Sequence, residues 1–262
     1  MDLPARVLAS TTSHKREPLL PTLDVFGQLG MRDVDLNLHH ILELGESIPG
    51  IARAVSAHGL RLWVLSGGWC DFFAGAPAIE ETFASVARQV SIADTFGVRW
   101  LRLFFGRLRY ADCSAAMRTA IIANLSRLSD THPHVTFVFE NHDGASLHPE
   151  VCADVLERVA RPNIRMNFDP INFAKGGVDP MAALAIVRSH VGHVHLKGLD
   201  RGEYCEFGEG DVGLEPVVRS LVDGGYDGRF TVEYEGPFDG TLRLYRSVQR
   251  ARAALGSGPG GP

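Results

Sequence analysis

Cysteine is scarce and scattered in this chain. Cys70, Cys113, Cys152 and Cys205 form no CxxC pair, so neither a zinc knuckle nor a disulfide framework is indicated. Long hydrophobic runs are missing too. No stretch approaches the about 20 consecutive apolar residues of a membrane span, and the opening "MDLPARVLAS" lacks the apolar core of a signal peptide. A cytoplasmic, reducing compartment and no membrane partner are therefore expected. There is no basic excess: the formal charge is −5, which offers no electrostatic pull toward nucleic acid or an anionic surface. No linker or composition break marks a second domain. The 262 residues suffice for a substantial core, expected over residues 1–255, with "GSGPGGP" (256–262) read as a flexible Gly/Pro tail.

What the chain does have is one rhythm, repeated eight times. "RVLAS" precedes "LLPTLDVFGQLG", "LRLWVLSGG" precedes the long amphipathic "IEETFASVARQVSIADTFG", and "HVTFVFENH" precedes "PEVCADVLERVAR". "NIRMNFDP", "GHVHLKG" and "RFTVEYEG" open the last three units. Several helical runs stop on glycine just before the next strand, at Gly30, Gly59, Gly97 and Gly225. Eight β-then-α units with near-continuous apolar strands predict an α/β fold, a single (β/α)8 TIM barrel. A doubly wound sheet is the rival. It usually has fewer strands, and its nucleotide-binding form needs a glycine-rich turn after the first strand, where this chain has "ASTTSHKRE".

Charge inside the strands then raises a question. "GRFTVEYEG" reads as a strand of β-formers closed by glycines, yet Glu233 sits near its end. A buried carboxylate costs several kcal/mol unless it is paired. In a barrel the site lies at the C-terminal ends of the strands. Reading those ends on the last four units gives Glu140, Asp169, His195 and Glu233. Three carboxylates and an imidazole form a hard ligand set that suits one divalent cation. Mn²⁺ or Mg²⁺ fits best, with Co²⁺ or Zn²⁺ also accepted, and positions are left open for a chelating substrate. Any one carboxylate could instead cap the next helix, and His195 alone could be a satisfied core histidine. Four such residues on four consecutive strands favour the metal.

The segments "FENH", "NFDP", "HVHLKG" and "FGEGDVGLEPVVRSLVDGGYDGRFTVEYEG", with the eight-unit rhythm, resemble the xylose-isomerase-like barrel superfamily. Its members include sugar isomerases and epimerases, inosose and dehydroshikimate dehydratases, and an AP-endonuclease branch. The resemblance covers nearly the whole chain and is strongest from Val135 to Gly236. It implies that Glu140, Asp169, His195 and Glu233 bind one metal and that Glu140 and Glu233 also act as an acid/base pair. It further implies a small sugar or polyol substrate and leaves a homo-oligomer open.

Secondary candidates surround this set. His142 follows Glu140 by two residues and either enters the mouth or bonds a loop carbonyl. Lys197 follows His195 by two, so it shares that side-chain direction and could bind a substrate oxygen or an acidic neighbour. Arg201 matches a family position that supports the substrate; its plain alternative is a solvated loop arginine. Trp69, Phe72, Phe73 and Phe105 could wall the pocket or simply pack the barrel. Two departures bear on the substrate: Asn172 stands where several members carry a substrate-touching histidine, and Gly198 stands where "HLKD" carries aspartate. A trinuclear zinc site needs extra histidines on the early strands and after Asp169, so nucleic acid is not expected as a partner. A non-catalytic binding barrel would leave the acid/base pair unexplained. The expectation is a metal-dependent isomerase or epimerase of a keto-sugar or related polyhydroxy ketone. The alternative is a lyase, dehydrating or β-eliminating, on a keto-cyclitol, dehydroshikimate-like compound or oxidised glycoside.

Overall fold

The structure, a computed structural model, describes residues 3–237 and 239–256. Its strands are β1 (Val7–Ser10), β2 (Asp33–Asn37), β3 (Arg61–Trp69), β4 (Trp100–Phe104), β5 (Thr136–Glu140), β6 (Ile164–Phe168), β7 (Val191–Leu196), β8 (Gly198–Asp200), β9 (Glu203–Cys205) and β10 (Phe230–Val232). Its helices are α1 (Leu19–Gln28), α2 (His39–Leu42), α3 (Ile48–Ala57), α4 (Ala78–Phe96), α5 (Ala115–Thr131), α6 (Pro149–Val159), α7 (Pro170–Lys175), α8 (Pro180–Val187), α9 (Glu215–Asp223) and α10 (Gly240–Gly256). Eight of the strands close a parallel barrel in the order β1-β10-β7-β6-β5-β4-β3-β2, as the sequence rhythm predicts. The expected tail lies outside the described residues from position 257 onward.

Chain contacts divide into two units: residues 1–63 with 194–262, and residues 64–193. In the first, β1 lies between β10 and β2, with Val7 opposite Phe230 and Ser10 opposite Asp35. β10 continues onto β7 with Thr231 opposite His195. The β10 ladder is shorter than "RFTVEYEG" suggests. Glu233 N–H still reaches the Leu196 carbonyl at 2.9 Å, but Tyr234 N–H turns to Ser13 Oγ at 2.8 Å, which lifts the chain off the sheet.

In the second unit β4 and β5 run in register from Trp100 opposite Thr136 to Phe104 opposite Glu140, and Glu140 faces Asn167 on β6. Helix α4 shows why the sequence folds this way. Ile79, Val86, Val90 and Ala93 recur at helical spacing and are all buried, while Glu80 and Glu81 occupy the first turn. The helix ends on Gly97 at φ 67°, a left-handed position that suits glycine, with its N–H on the Ala93 carbonyl. Ser114 caps α5 through Met117 N–H, and Asp179 caps α8 through Ala182 N–H.

Four small elements were not legible as periodic runs. Helix α2 spans four residues and α7 six, too few to show a helical stripe. Strands β8 and β9 form an antiparallel hairpin turned by Arg201 and Gly202, both at positive φ (50° and 85°). That pair of angles matches a two-residue primed turn, which suits the right-handed strand twist.

Candidate active site

Each expected ligand sits at a strand end. Glu140 is the last residue of β5, Asp169 follows β6, His195 is the penultimate residue of β7, and Glu233 follows β10. All four are buried, with 0–3% exposed.

In the second unit the surroundings of Glu140 are dense. Its Oε2 lies 3.2 Å from Arg102 Nε, and the two side chains are 2% and 3% exposed. Arg102 also donates to the Gly67 carbonyl at 2.9 Å and lies over the Phe104 ring at 4.2 Å. Asn172 Nδ2 donates to Glu140 Oε1 at 3.0 Å and to the Asn141 carbonyl at 2.9 Å, and it approaches His142 Nδ1 at 3.2 Å. His142 Nδ1 is 3.5 Å from Glu140 Oε1. Glu140 is therefore held from two sides by nitrogen donors.

Asp169, at the end of β6, caps the next helix. As N-cap of α7 its Oδ1 accepts from Ile171 N–H at 2.9 Å and Asn172 N–H at 3.0 Å, with Pro170 at the first helical position. Asn141 brackets its backbone, donating to the Asp169 carbonyl and accepting from its N–H, each at 2.8 Å. The orientation of the carboxylate is thus fixed by local sequence.

Aromatic residues border this group. Trp69 stacks on Phe104 with centroids 4.4 Å apart, His142 meets both rings at 5.4 and 4.6 Å, and Arg107 lies over Trp69 at 4.5 Å. Phe72 is not part of this face: it is fully buried, edge-on to Phe83 and Phe139. Phe105 turns toward Phe139 and a small apolar cavity that also holds Cys152 and Met166. Burial pushes the Cys152 thiol up to about 12, so it is no nucleophile. Phe73 is half-buried.

The first unit supplies His195, Glu233 and Lys197. Glu233 Oε1 accepts from Ser10 Oγ at 3.2 Å, and its Oε2 lies 3.4 Å from His195 Nδ1 and 3.8 Å from Lys197 Nζ. Lys197, 1% exposed, donates to Glu235 Oε1 at 2.9 Å and lies 5.0 Å from the Tyr204 ring. Its acidic neighbour is thus Glu235, which Lys15 also approaches at 3.4 Å. Arg201 sits exposed at the hairpin tip, its N–H on Asp211 Oδ2. Gly198 has a packing reason to replace aspartate: a Cβ there would run into the Glu206 carbonyl and Cys205 Sγ.

Two residues escaped sequence reasoning, Arg102 and Asp35, although the signal existed for both. A charge inside "WLRLF" or "DVDLN" needs a partner by the same argument that singles out Glu233. The partner itself is not readable from a strand taken alone.

The sequence matches the family model described as xylose isomerase-like TIM barrel over residues 27–253. It is 22% identical over 163 residues to a 3-dehydroshikimate dehydratase of Bacillus anthracis, covering 55% of this chain and 56% of that protein. The match therefore spans little more than half of that relative's length. A solved structure described as the IOLI protein with a binding zinc atom superposes with a TM-score of 0.81 at 15% identity, over 96% of this chain and 98% of that one. The 3-keto-D-glucoside 4-epimerase from E. coli gives 0.76 at 14% identity, over 95% and 99%. At such identities the superpositions speak to the shared fold. With the family match extending over most of its length, this chain belongs to the xylose isomerase-like TIM barrel family.

Proposed function

We propose that this protein is a divalent-metal-dependent isomerase or epimerase of a keto-sugar or related polyhydroxy ketone. The observation that carries the reading is that Glu140 and Asp169 stand buried at the ends of β5 and β6, and that His195 and Glu233 stand buried at the ends of β7 and β10 with 3.4 Å between them. Three carboxylates and one imidazole suit Mn²⁺, Mg²⁺, Co²⁺ or Zn²⁺. One relative in fold is described as binding zinc, and Mn²⁺ is the expected native ion for this mostly oxygen set.

When bound, the cation supplies Lewis-acid stabilisation for charge that develops on the substrate carbonyl oxygen. The protein's own residues do the rest. Glu140 and Glu233 are the acid/base pair: one takes the proton from the carbon next to the carbonyl and the other returns a proton. Return to the opposite face of that carbon epimerises it, and return to the neighbouring carbon isomerises the ketone. Arg102 pairs with one oxygen of Glu140 and Asn172 aims the other. Trp69, with Phe104 and His142, forms an apolar-and-polar wall for a sugar ring. Lys197, Arg201, His142 and Asn172 are the substrate-binding candidates.

A second reading is favoured by one observation, the dehydratase relative: a lyase that takes the same proton and then expels a β-substituent. Elimination needs an acid near the leaving oxygen. Asn172 in place of histidine cannot supply a proton, which favours proton return.

One experiment addresses both. Keto-sugars and keto-cyclitols are incubated with the Mn²⁺-loaded protein in D₂O, followed by NMR and by absorbance. Deuterium next to the carbonyl without growth of enone absorbance is expected. Glu140→Gln and Glu233→Gln should slow exchange by about 10²–10⁴ while retaining cation. Enone formation matching substrate loss would establish the lyase instead, and undiminished exchange in either variant would remove that glutamate from the chemistry.

A further inference from the structure

We infer that Asp35 is the positioning residue that sets the tautomer of His195 and thereby its capacity to hold a cation. The inference rests on the metal reading above. The imidazole of His195 is fully buried between two carboxylates. Its Nδ1 faces Glu233 Oε2 at 3.4 Å, and its Nε2 faces Asp35 Oδ2 at 3.5 Å. The side chains of Asp35 and His195 are each 0% exposed, so solvent does not compete for either nitrogen.

The two nitrogens are therefore not equivalent. A neutral imidazole carries one N–H, and a neighbouring acceptor decides where it sits. Glu233 is an expected co-ligand, so the nitrogen beside it, Nδ1, is the one that must present a lone pair. That places the proton on Nε2, toward Asp35. A distance of 3.5 Å closes to a good hydrogen bond with a movement of about 0.5 Å.

Asp35 is itself anchored for this task. Thr231 Oγ1 donates to the same Oδ2 at 3.1 Å, and Thr231 stands opposite His195 in the β7–β10 ladder. The register that pairs β1 with β2 sets Asp35 opposite Ser10, whose hydroxyl donates to Glu233. One buried chain thus links Thr231, Asp35, His195, Glu233 and Ser10. A carboxylate behind a ligating histidine orients the ring and raises its basicity, and losing such a partner typically costs 10–100-fold in cation affinity.

The test combines ¹⁵N NMR of the His195 ring in metal-free protein with Co²⁺ titration calorimetry. It compares wild type, Asp35→Asn, Asp35→Leu and Asp169→Asn, with circular dichroism reporting the fold. The wild type should show the Nε2–H form. Asp35→Leu should lose that preference and bind Co²⁺ about 10–100-fold more weakly. Asp35→Asn keeps an acceptor oxygen and should restore the tautomer with part of the affinity. Should Asp35→Leu fail to fold, Thr231→Val takes its place, since loosening Asp35 should blur the tautomer and lower the affinity. Co²⁺ affinity lost in Asp169→Asn but intact in a folded Asp35→Leu (or Thr231→Val), with the Nε2–H form unchanged, would overturn this inference alone. No binding by wild type would overturn the metal reading and this inference with it.

Discussion

Arg102 and Glu140 form an ion pair with both side chains at 3% exposure or less. Removing one partner of such a pair leaves a charge stranded in a poorly solvated place, at a cost of about 3–5 kcal/mol, whereas the intact pair contributes much less. The proposed cation adds a second positive partner for Glu140. Arg102→Met should therefore destabilise the protein by about 3–5 kcal/mol in the presence of chelator, and by clearly less with saturating Mn²⁺. Urea denaturation under both conditions checks this. An equal loss in the two would mean that the cation does not reach Glu140. Lys197 tells a related story at a different residue: between Glu235 and Glu233 it has acidic neighbours on hand, so its burial needs no substrate to explain it.

At the scale of elements, the short pieces after β1 and β2 carry a pH response. His14 Nε2 meets Thr241 Oγ1 at 2.9 Å, and His40 Nε2 on α2 faces the Thr11 carbonyl at 3.4 Å. Burial is the largest influence on both and holds both below the ordinary histidine value of 6.5, although Glu17 pulls His14 the other way and the Thr11 carbonyl does so for His40. Both are therefore neutral in the fold where an unfolded chain would take up protons. Their contribution is neutral to stability above 6.5 and becomes a penalty as pH falls through that value toward the lower folded pKa. The melting temperature should drop between about pH 7.5 and about pH 5.5, and a His14→Gln/His40→Gln double variant should show a shallower slope. Identical slopes would place the pH response elsewhere. The hairpin after β7 works by contact instead. Glu206 is buried beneath Arg243, Arg246 and Arg250 of α10 at 3.2, 3.7 and 3.1 Å, and Phe207 N–H bonds Ser247 Oγ at 3.1 Å, so the loop carrying Arg201 is tied to that helix.

At the scale of the whole molecule, the closed eight-strand order was legible because alternation of apolar strands with amphipathic helices leaves few other ways to bury both faces of each strand. Strand-end carboxylates were legible for a simpler reason: Glu140, Asp169 and Glu233 end apolar runs where charge is costly. What was not legible depends on register and side-chain reach, which no single run encodes. Arg102 finds Glu140 only once β4 lies beside β5, Asp35 finds His195 only through the barrel's closure, and Asn172 reaches Glu140 only because α7 starts at the Asp169 cap. The most direct measurement is a crystal of the protein grown with Mn²⁺ and an anomalous difference map collected at the manganese edge. The expected result is one strong peak within about 2.0–2.6 Å of oxygens of Glu140, Asp169 and Glu233 and of His195 Nδ1. No peak at those four residues would contradict the proposed metal centre.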